Sequence, residues 1–118
     1  MVMMEAEPFE RLFPRQAQEL IEKGAVQIID VREPAEYEEG YLHGSVFVPL
    51  GDLMDNPSDY VKRNNVLFVC ARGQRSALAC EMAASLGFTK LYNLAGGLEK
   101  WKAEGFPIET KIPPQGSS

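Results

Sequence analysis

The sequence predicts an α/β protein built on a parallel sheet with helices on both faces. Two observations carry that expectation. Four short runs, residues 27–30, 45–48, 65–70 and 90–94, are β-branched or aromatic and almost continuously apolar, the pattern of strands buried on both faces. Helical patterns separate them, several opened by proline and closed by glycine, and strands alternating with helices imply right-handed crossovers. Size is a third indication: 118 residues suffice for one layered core, which at this length buries roughly two-thirds of the unfolded chain's surface without disulfides.

In chain order, the first helix begins near Pro14, places Ala17, Leu20 and Ile21 on one face and stops at Gly24. After strand 27–30 comes a short helix with Pro34 first and Gly40 just past its end. Strand 45–48 leads into 50–61, where helical turns are expected and Pro57 interrupts them. Strand 65–70 feeds the longest helix, 74–86, in which Ala77, Cys80, Ala84 and also Leu78 and Met82 recur at helical spacing, with Gly87 as the stop. Strand 90–94 precedes a last helix marked by Leu98 and Trp101 and ended by Gly105. Residues 9–110 read as a single domain, with 1–8 and the proline-bearing, small-residue stretch 111–118 as flexible termini.

Composition excludes several classes. A net charge of −5 argues against nucleic acid as partner, which needs clustered Lys and Arg. The charge is uneven: residues 1–59 hold 13 acids and 4 bases, residues 60–118 hold 4 acids and 8 bases, so anion chemistry is expected in the second half. The longest apolar run, 66–71, is far short of the roughly 20 residues of a membrane span. Met1 to Met4 run straight into Glu5 and Glu7 with no basic leader, so a reducing cytoplasm is the expected location. One histidine and two separated cysteines do not make a zinc site. Gly96-Gly97 lacks the G-x-G-x-x-G spacing of a dinucleotide site.

In a parallel sheet, function sits at the carboxyl ends of the strands. Three junctions qualify: Asp30-Val31-Arg32, Cys70-Ala71-Arg72 and Leu94-Ala95-Gly96-Gly97. The middle one stands apart, because Cys70 leaves its strand into Ala71-Arg72-Gly73-Gln74-Arg75-Ser76, which opens a helix. Unpaired amides and the dipole at a helix start stabilise a thiolate or a bound anion. Gly73 permits the left-handed backbone needed to curl amides toward one sulfur, Ser76 is suited to hold the loop or the helix entry, and it is the thiolate that attacks. A free cysteine is more often just the last buried residue of a strand; strand end, glycine, two arginines and helix together favour the reactive reading. Arg75 is expected to anchor the loop or pair with a carboxylate, and Arg72 to face solvent and an anionic substrate.

Other residues take plainer readings. His43 as a base for Cys70 is disfavoured, since the amides suffice to activate the thiol. Asp30 and Arg32 read as a structural ion pair bracing the active loop. Cys80 reads as core, and Glu36, Glu38 and Glu39 as a solvated helix face.

Four motifs in order resemble the rhodanese (sulfurtransferase) family in its single-domain form. Cys70-Ala71-Arg72-Gly73-Gln74-Arg75-Ser76 is similar to the family's active-site loop, and Ile29-Asp30-Val31-Arg32-Glu33-Pro34-Ala35-Glu36-Tyr37 to its earlier strand–turn–helix. Gly40-Tyr41-Leu42-His43-Gly44-Ser45 resembles the following turn, though family members often carry Gly-His-Ile-Pro-Gly-Ala there. Leu94-Ala95-Gly96-Gly97-Leu98 through Trp101, with Gly105-Phe106-Pro107, resembles the closing helix and its exit. The resemblance implies a rhodanese-like fold with a central five-stranded parallel sheet, whose first strand lies near residues 11–13. It implies that Cys70 is the catalytic residue, that Ala71, Arg72, Gly73, Gln74 and Arg75 bind substrate, and that no metal or organic cofactor is needed. The implied partners are a small anionic sulfur donor such as thiosulfate and a thiol or cyanide acceptor, with sulfur moving through a Cys70 persulfide. Two other readings remain: a rhodanese-like module that binds a partner or works in a protein sulfur relay, and phosphatase or arsenate-reductase chemistry. The cell-cycle phosphatases that look like rhodaneses place five residues between cysteine and arginine; four lie between Cys70 and Arg75, which suits sulfur better than a tetrahedral oxyanion.

Overall fold

A run of four buried apolar residues, Val66, Leu67, Phe68 and Val69, has to be covered on both faces, and it forms the central strand of the sheet. The computed structural model describes residues 7–110; of the termini expected to be flexible, 1–8 and 111–118, all but Glu7 and Pro8 lie outside them. In chain order the elements are β1 (Glu10–Leu12), α1 (Pro14–Glu22), β2 (Gln27–Asp30), α2 (Pro34–Glu39), β3 (Ser45–Phe47), α3 (Leu50–Asp55), α4 (Pro57–Tyr60), β4 (Val66–Val69), α5 (Gln74–Ser85), β5 (Leu91–Leu94) and α6 (Gly97–Ala103). All the pairings are parallel, in the order β1-β5-β4-β2-β3. The expected parallel α/β architecture with five strands is what the chain adopts.

Alternation along β4 divides the core in two. Val66, Phe68 and Cys70 join Leu53, Val61, Ala79, Cys80 and Ala83 on the face covered by α3, α4 and α5. Leu67 and Val69 join Ala17, Leu94, Leu98 and Trp101 on the face covered by α1 and α6. Side chains on successive strand residues point to opposite faces, so one apolar run serves both layers. Among the described residues, no helix is long and apolar enough to cross a membrane.

Three elements differ from the sequence expectation. The first strand is Glu10–Leu12, not 11–13, and of its residues only Leu12 is buried, so no periodicity marks it; pairing of Glu10 with Tyr92 and Leu12 with Leu94 fixes its place. Pro57 does not merely interrupt a helix. It starts α4 as the first helical residue, where its missing N–H costs nothing. On α5 the buried stripe is Ser76, Ala79, Cys80 and Ala83, and Leu78, expected on the apolar face, is 50% exposed. Small side chains let α5 lie close to β4 and β5, and at 100° per residue Leu78 falls off that stripe.

At the end of β2, buried Asp30 accepts from Arg32 Nε at 2.9 Å and from Arg32 Nη2 at 2.8 Å. The same guanidinium donates to the carbonyl oxygens of Glu36, at 3.1 Å, and Gly40, at 2.7 Å. The expected ion pair is therefore present, and it braces α2 directly, because its spare donors satisfy carbonyls at the end of that helix, and reaches the Cys70 loop through Glu36 and Arg75. Removing Arg32 leaves a buried carboxylate without its cation. Arg32→Ala is expected to cost about 3–5 kcal/mol, read as a shift in the urea midpoint at pH 7.

Candidate active site

The parallel sheet carries the ends of β2, β4 and β5 to one edge, and the backbone of β4 delivers Cys70 there, 1% exposed. The chain turns at Gly73, whose φ of +95° is the left-handed region that a side chain disfavours. That turn aims two amides back at the sulfur. The Gly73 N–H donates to Cys70 Sγ at 3.1 Å and the Ser76 N–H at 3.4 Å, so negative charge on Sγ meets donors and the start of α5. Ser76 Oγ lies 3.3 Å from Sγ and donates its proton to Asn93 Oδ1. Asn93 in turn donates from Nδ2 to the Gly73 carbonyl at 3.0 Å. Sequence reasoning took Asn93 only as part of an apolar strand; a fully buried amide that must find partners was the available signal.

The end of β5 presses on the same loop. Leu98 N–H donates to the Cys70 carbonyl at 2.9 Å and Glu99 N–H to the Ala71 carbonyl at 3.0 Å. Gly97 makes this approach possible: a Cβ there would sit 2.3 Å from the Ala71 carbonyl carbon. Its φ is +63°. The glycine pair therefore serves backbone contact with the loop.

Both arginines meet carboxylates. Arg75 donates from Nη1 and Nη2 to the two Glu36 oxygens, each at 2.8 Å, and Glu36 Oε1 also accepts the Glu33 N–H at 2.9 Å. The hydrogen bonds from Arg75 hold the Glu36 carboxyl down at about 2 against the opposing effect of burial, and the same contact raises Arg75. Glu36 is thus a half-buried partner of the loop and not, as expected, part of a solvated face. Arg72 faces solvent as expected, with a side chain 73% exposed, but its Nε donates to Glu99 Oε2 at 3.1 Å. Cys70, Ala71, Arg72, Gln74 and Arg75, with Glu36 and Glu99, line one open cavity of about 310 Å³; Gly73 lies buried beneath it. Glu36 and Glu99 carried no sequence signal for this position, because each acquires its role only by pairing with a residue distant in the chain.

His43 is not brought to this cavity. Its Nδ1 lies 2.5 Å from Glu109 Oε1, and it lines a separate cleft with Trp101 and Leu42. Cys80 is buried with Sγ donating to the Tyr92 carbonyl at 3.3 Å, and burial pushes its thiol up. Among the described residues, no three His, Cys, Asp or Glu side chains converge as a metal site.

A parallel sheet of this order, with a cysteine at the end of its middle strand faced by two amides at the start of the following helix, defines a class of small α/β proteins with one thiol at the carboxyl edge of the sheet. The sequence matches the family described as "Rhodanese-like domain" over residues 13–104, and the chain belongs to that family. The thiosulfate sulfurtransferase GlpE of Ectopseudomonas mendocina is 36% identical over 102 residues, covering 86% of this chain and 92% of that protein. The putative sulfur carrier protein YrkF of Bacillus subtilis is 31% identical over 77 residues, covering 65% of this chain and 42% of that protein. Among solved structures, a rhodanese-related protein from Thermoplasma volcanium superposes with a TM-score of 0.76 at 29% identity, covering 86% of this chain and 99% of that one.

Two outcomes follow from this geometry. A carboxyl held at about 2 in the folded chain, against an ordinary 4.5, contributes stability that is complete above 4.5 and lost as the pH falls through about 2. Glu36→Gln is therefore expected to lose about 1 kcal/mol at pH 7, modest because the pair is partly exposed, and the gap to wild type should close in urea titrations as the pH approaches 2. Gly97→Ala is expected to cost more than about 2 kcal/mol, read by thermal denaturation, since the new Cβ meets the carbonyl carbon of Ala71 and not a flexible side chain.

Proposed function

We propose that the chain is a sulfurtransferase that moves sulfane sulfur from a donor such as thiosulfate to a thiol or cyanide through a persulfide on Cys70. The observation that carries this reading is the pair of amides, from Gly73 and Ser76, that donate to Cys70 Sγ at the floor of the cavity. In this reading residues 9–110 act as one rhodanese domain.

The chemistry follows from where protons and charges sit. The single hydroxyl proton of Ser76 is given to Asn93, so toward Sγ the Ser76 oxygen is an acceptor, suited to the S–H of the resting thiol. Once the thiol proton leaves to solvent, the two amides and the α5 dipole remain to stabilise the thiolate. The thiolate attacks the outer sulfur of thiosulfate; a new S–S bond forms to Cys70, the bond to the sulfonate sulfur breaks, and sulfite departs with the electron pair. The charge then rests on the terminal sulfur of the persulfide. An acceptor thiolate or cyanide attacks that terminal sulfur, and Cys70 leaves as the thiolate, ready for another cycle. Ala71 and Gln74 shape the cavity, Arg75 holds the loop to α2 through Glu36, and Arg72 stands at the mouth where the donor's oxyanion arrives. No step calls for a metal or an organic cofactor.

A second reading, a sulfur carrier within a protein relay, is favoured by the likeness to YrkF, which is named as a putative carrier. Phosphate or arsenate chemistry is disfavoured by the four-residue spacing between Cys70 and Arg75.

Incubation with millimolar thiosulfate followed by intact-mass measurement is expected to show a gain of one sulfur that cyanide removes. Cys70→Ala should abolish it, and Cys80→Ala should leave it unchanged. Absence of the adduct in wild type would overturn the assignment; loading followed by transfer to protein thiols much faster than to cyanide would select the relay reading.

A further inference from the structure

The mouth of the Cys70 cavity is not the cationic funnel that two arginines suggest. Arg75 is held by both oxygens of Glu36, and Arg72 is met by Glu99. These four charges line the cavity together, and they cancel. The adjoining cleft adds Lys102, Glu39 and Arg32; Arg32 is neutralised by buried Asp30, which leaves one charge of each sign. A dianion such as thiosulfate, approaching a thiolate, therefore finds helix-start amides but no net positive side-chain charge.

Glu99 is placed there by the backbone. Its own N–H donates to the Ala71 carbonyl at 3.0 Å, the neighbouring Leu98 N–H donates to the Cys70 carbonyl, and Gly97 lets both amides come within reach. Glu99 is thus pinned on the loop whether or not its side chain keeps the bond to Arg72. The pair itself is weak: both side chains are more than half exposed, at 73% and 56%, and exposed pairs of this kind exchange readily with solvent. The field of the carboxylate persists when the bond opens.

Resting on the sulfurtransferase reading, we propose that Glu99 is a specificity-determining residue that sets the site against small dianionic donors and in favour of organic persulfides of low net charge. The reaction with such a donor balances without any further reactant. The Cys70 thiolate attacks the outer sulfur of R–S–SH, the Cys70–sulfur bond forms, the S–S bond of the donor breaks, and RS⁻ leaves with its electron pair while the transferred sulfur keeps its proton. No charged leaving fragment with three oxygens has to be accommodated, so Arg72 need not be released from Glu99.

The test compares the rate of persulfide formation on Cys70, read by intact mass, from thiosulfate and from the persulfide of cysteamine, whose ammonium group leaves it without net negative charge. Relative to wild type, Glu99→Gln removes a negative charge from the mouth, Arg72→Ala removes a positive one, and the double variant leaves the net charge unchanged. Glu99→Gln is expected to raise the thiosulfate-to-cysteamine-persulfide rate ratio about fivefold at low ionic strength, with the gain shrinking in 0.5 M salt. Arg72→Ala is expected to lower the ratio, and the double variant, again neutral, to return to near the wild-type value. A ratio in Glu99→Gln within error of wild type, or a rise that salt does not diminish, overturns the role of Glu99 while leaving the sulfurtransferase reading intact. Absence of sulfur on Cys70 from both donors in all four proteins overturns that reading and this inference with it.

Discussion

The backbone of Gly97 touching the backbone of Ala71 is the constraint on which the site depends. Two strand ends are brought into direct contact, and the carbonyls of Cys70 and Ala71 are thereby engaged by the amides of Leu98 and Glu99. That contact fixes the chain at Cys70 and Ala71, just ahead of the turn from which the amides of Gly73 and Ser76 face the sulfur. A side chain at position 97 would occupy the space where the two backbones meet. The thiol's surroundings are thus settled by a residue outside the loop that contributes no side chain.

A second chain of contacts fixes the loop from the opposite side. Buried Asp30 holds Arg32, Arg32 holds the carbonyls of Glu36 and Gly40, and the Glu36 carboxylate holds Arg75. Charge alternates along this path and crosses from β2 through α2 to α5. Each member, buried or half-buried, has an oppositely charged partner, which keeps the cost of removing charge from water compensated. The electrostatic consequence is that neither loop arginine stands as a bare cation, and the donors that face the sulfur are backbone amides.

How far this was legible in the sequence depends on the distance over which each feature is decided. Val66 to Val69 announce a central strand because their burial is set by their own composition, and Pro34 and Gly40 mark α2 because caps are local. Cys70, Gly73 and the start of α5 were legible together for the same reason: strand end, turn and helix entry are consecutive. Strand β1 was not, since two of its three residues are exposed and only its pairing with β5 defines it. Leu78 was misread because spacing shows which residues share a face and not which face meets the sheet; α5 buries the small side chains instead. Asn93, Glu36 and Glu99 were missed because a polar residue within an apolar strand, or a glutamate on a helix, gains its meaning from partners many residues away.

The strand order has a consequence for the growing chain. Strand β1 pairs only with β5, so the earliest strand waits for almost the latest, and an all-parallel sheet of this kind is assembled from contacts distant in sequence. A nascent polypeptide emerging from the ribosome as far as Ser85 contains β4, Cys70 and α5 but lacks the segment whose amides engage the loop carbonyls. During that interval the thiol is carried on an incomplete scaffold, and the contact between Gly97 and Ala71 forms only once β5 and α6 follow. The surroundings of Cys70 are therefore completed late in biosynthesis, although the residue itself is translated well before.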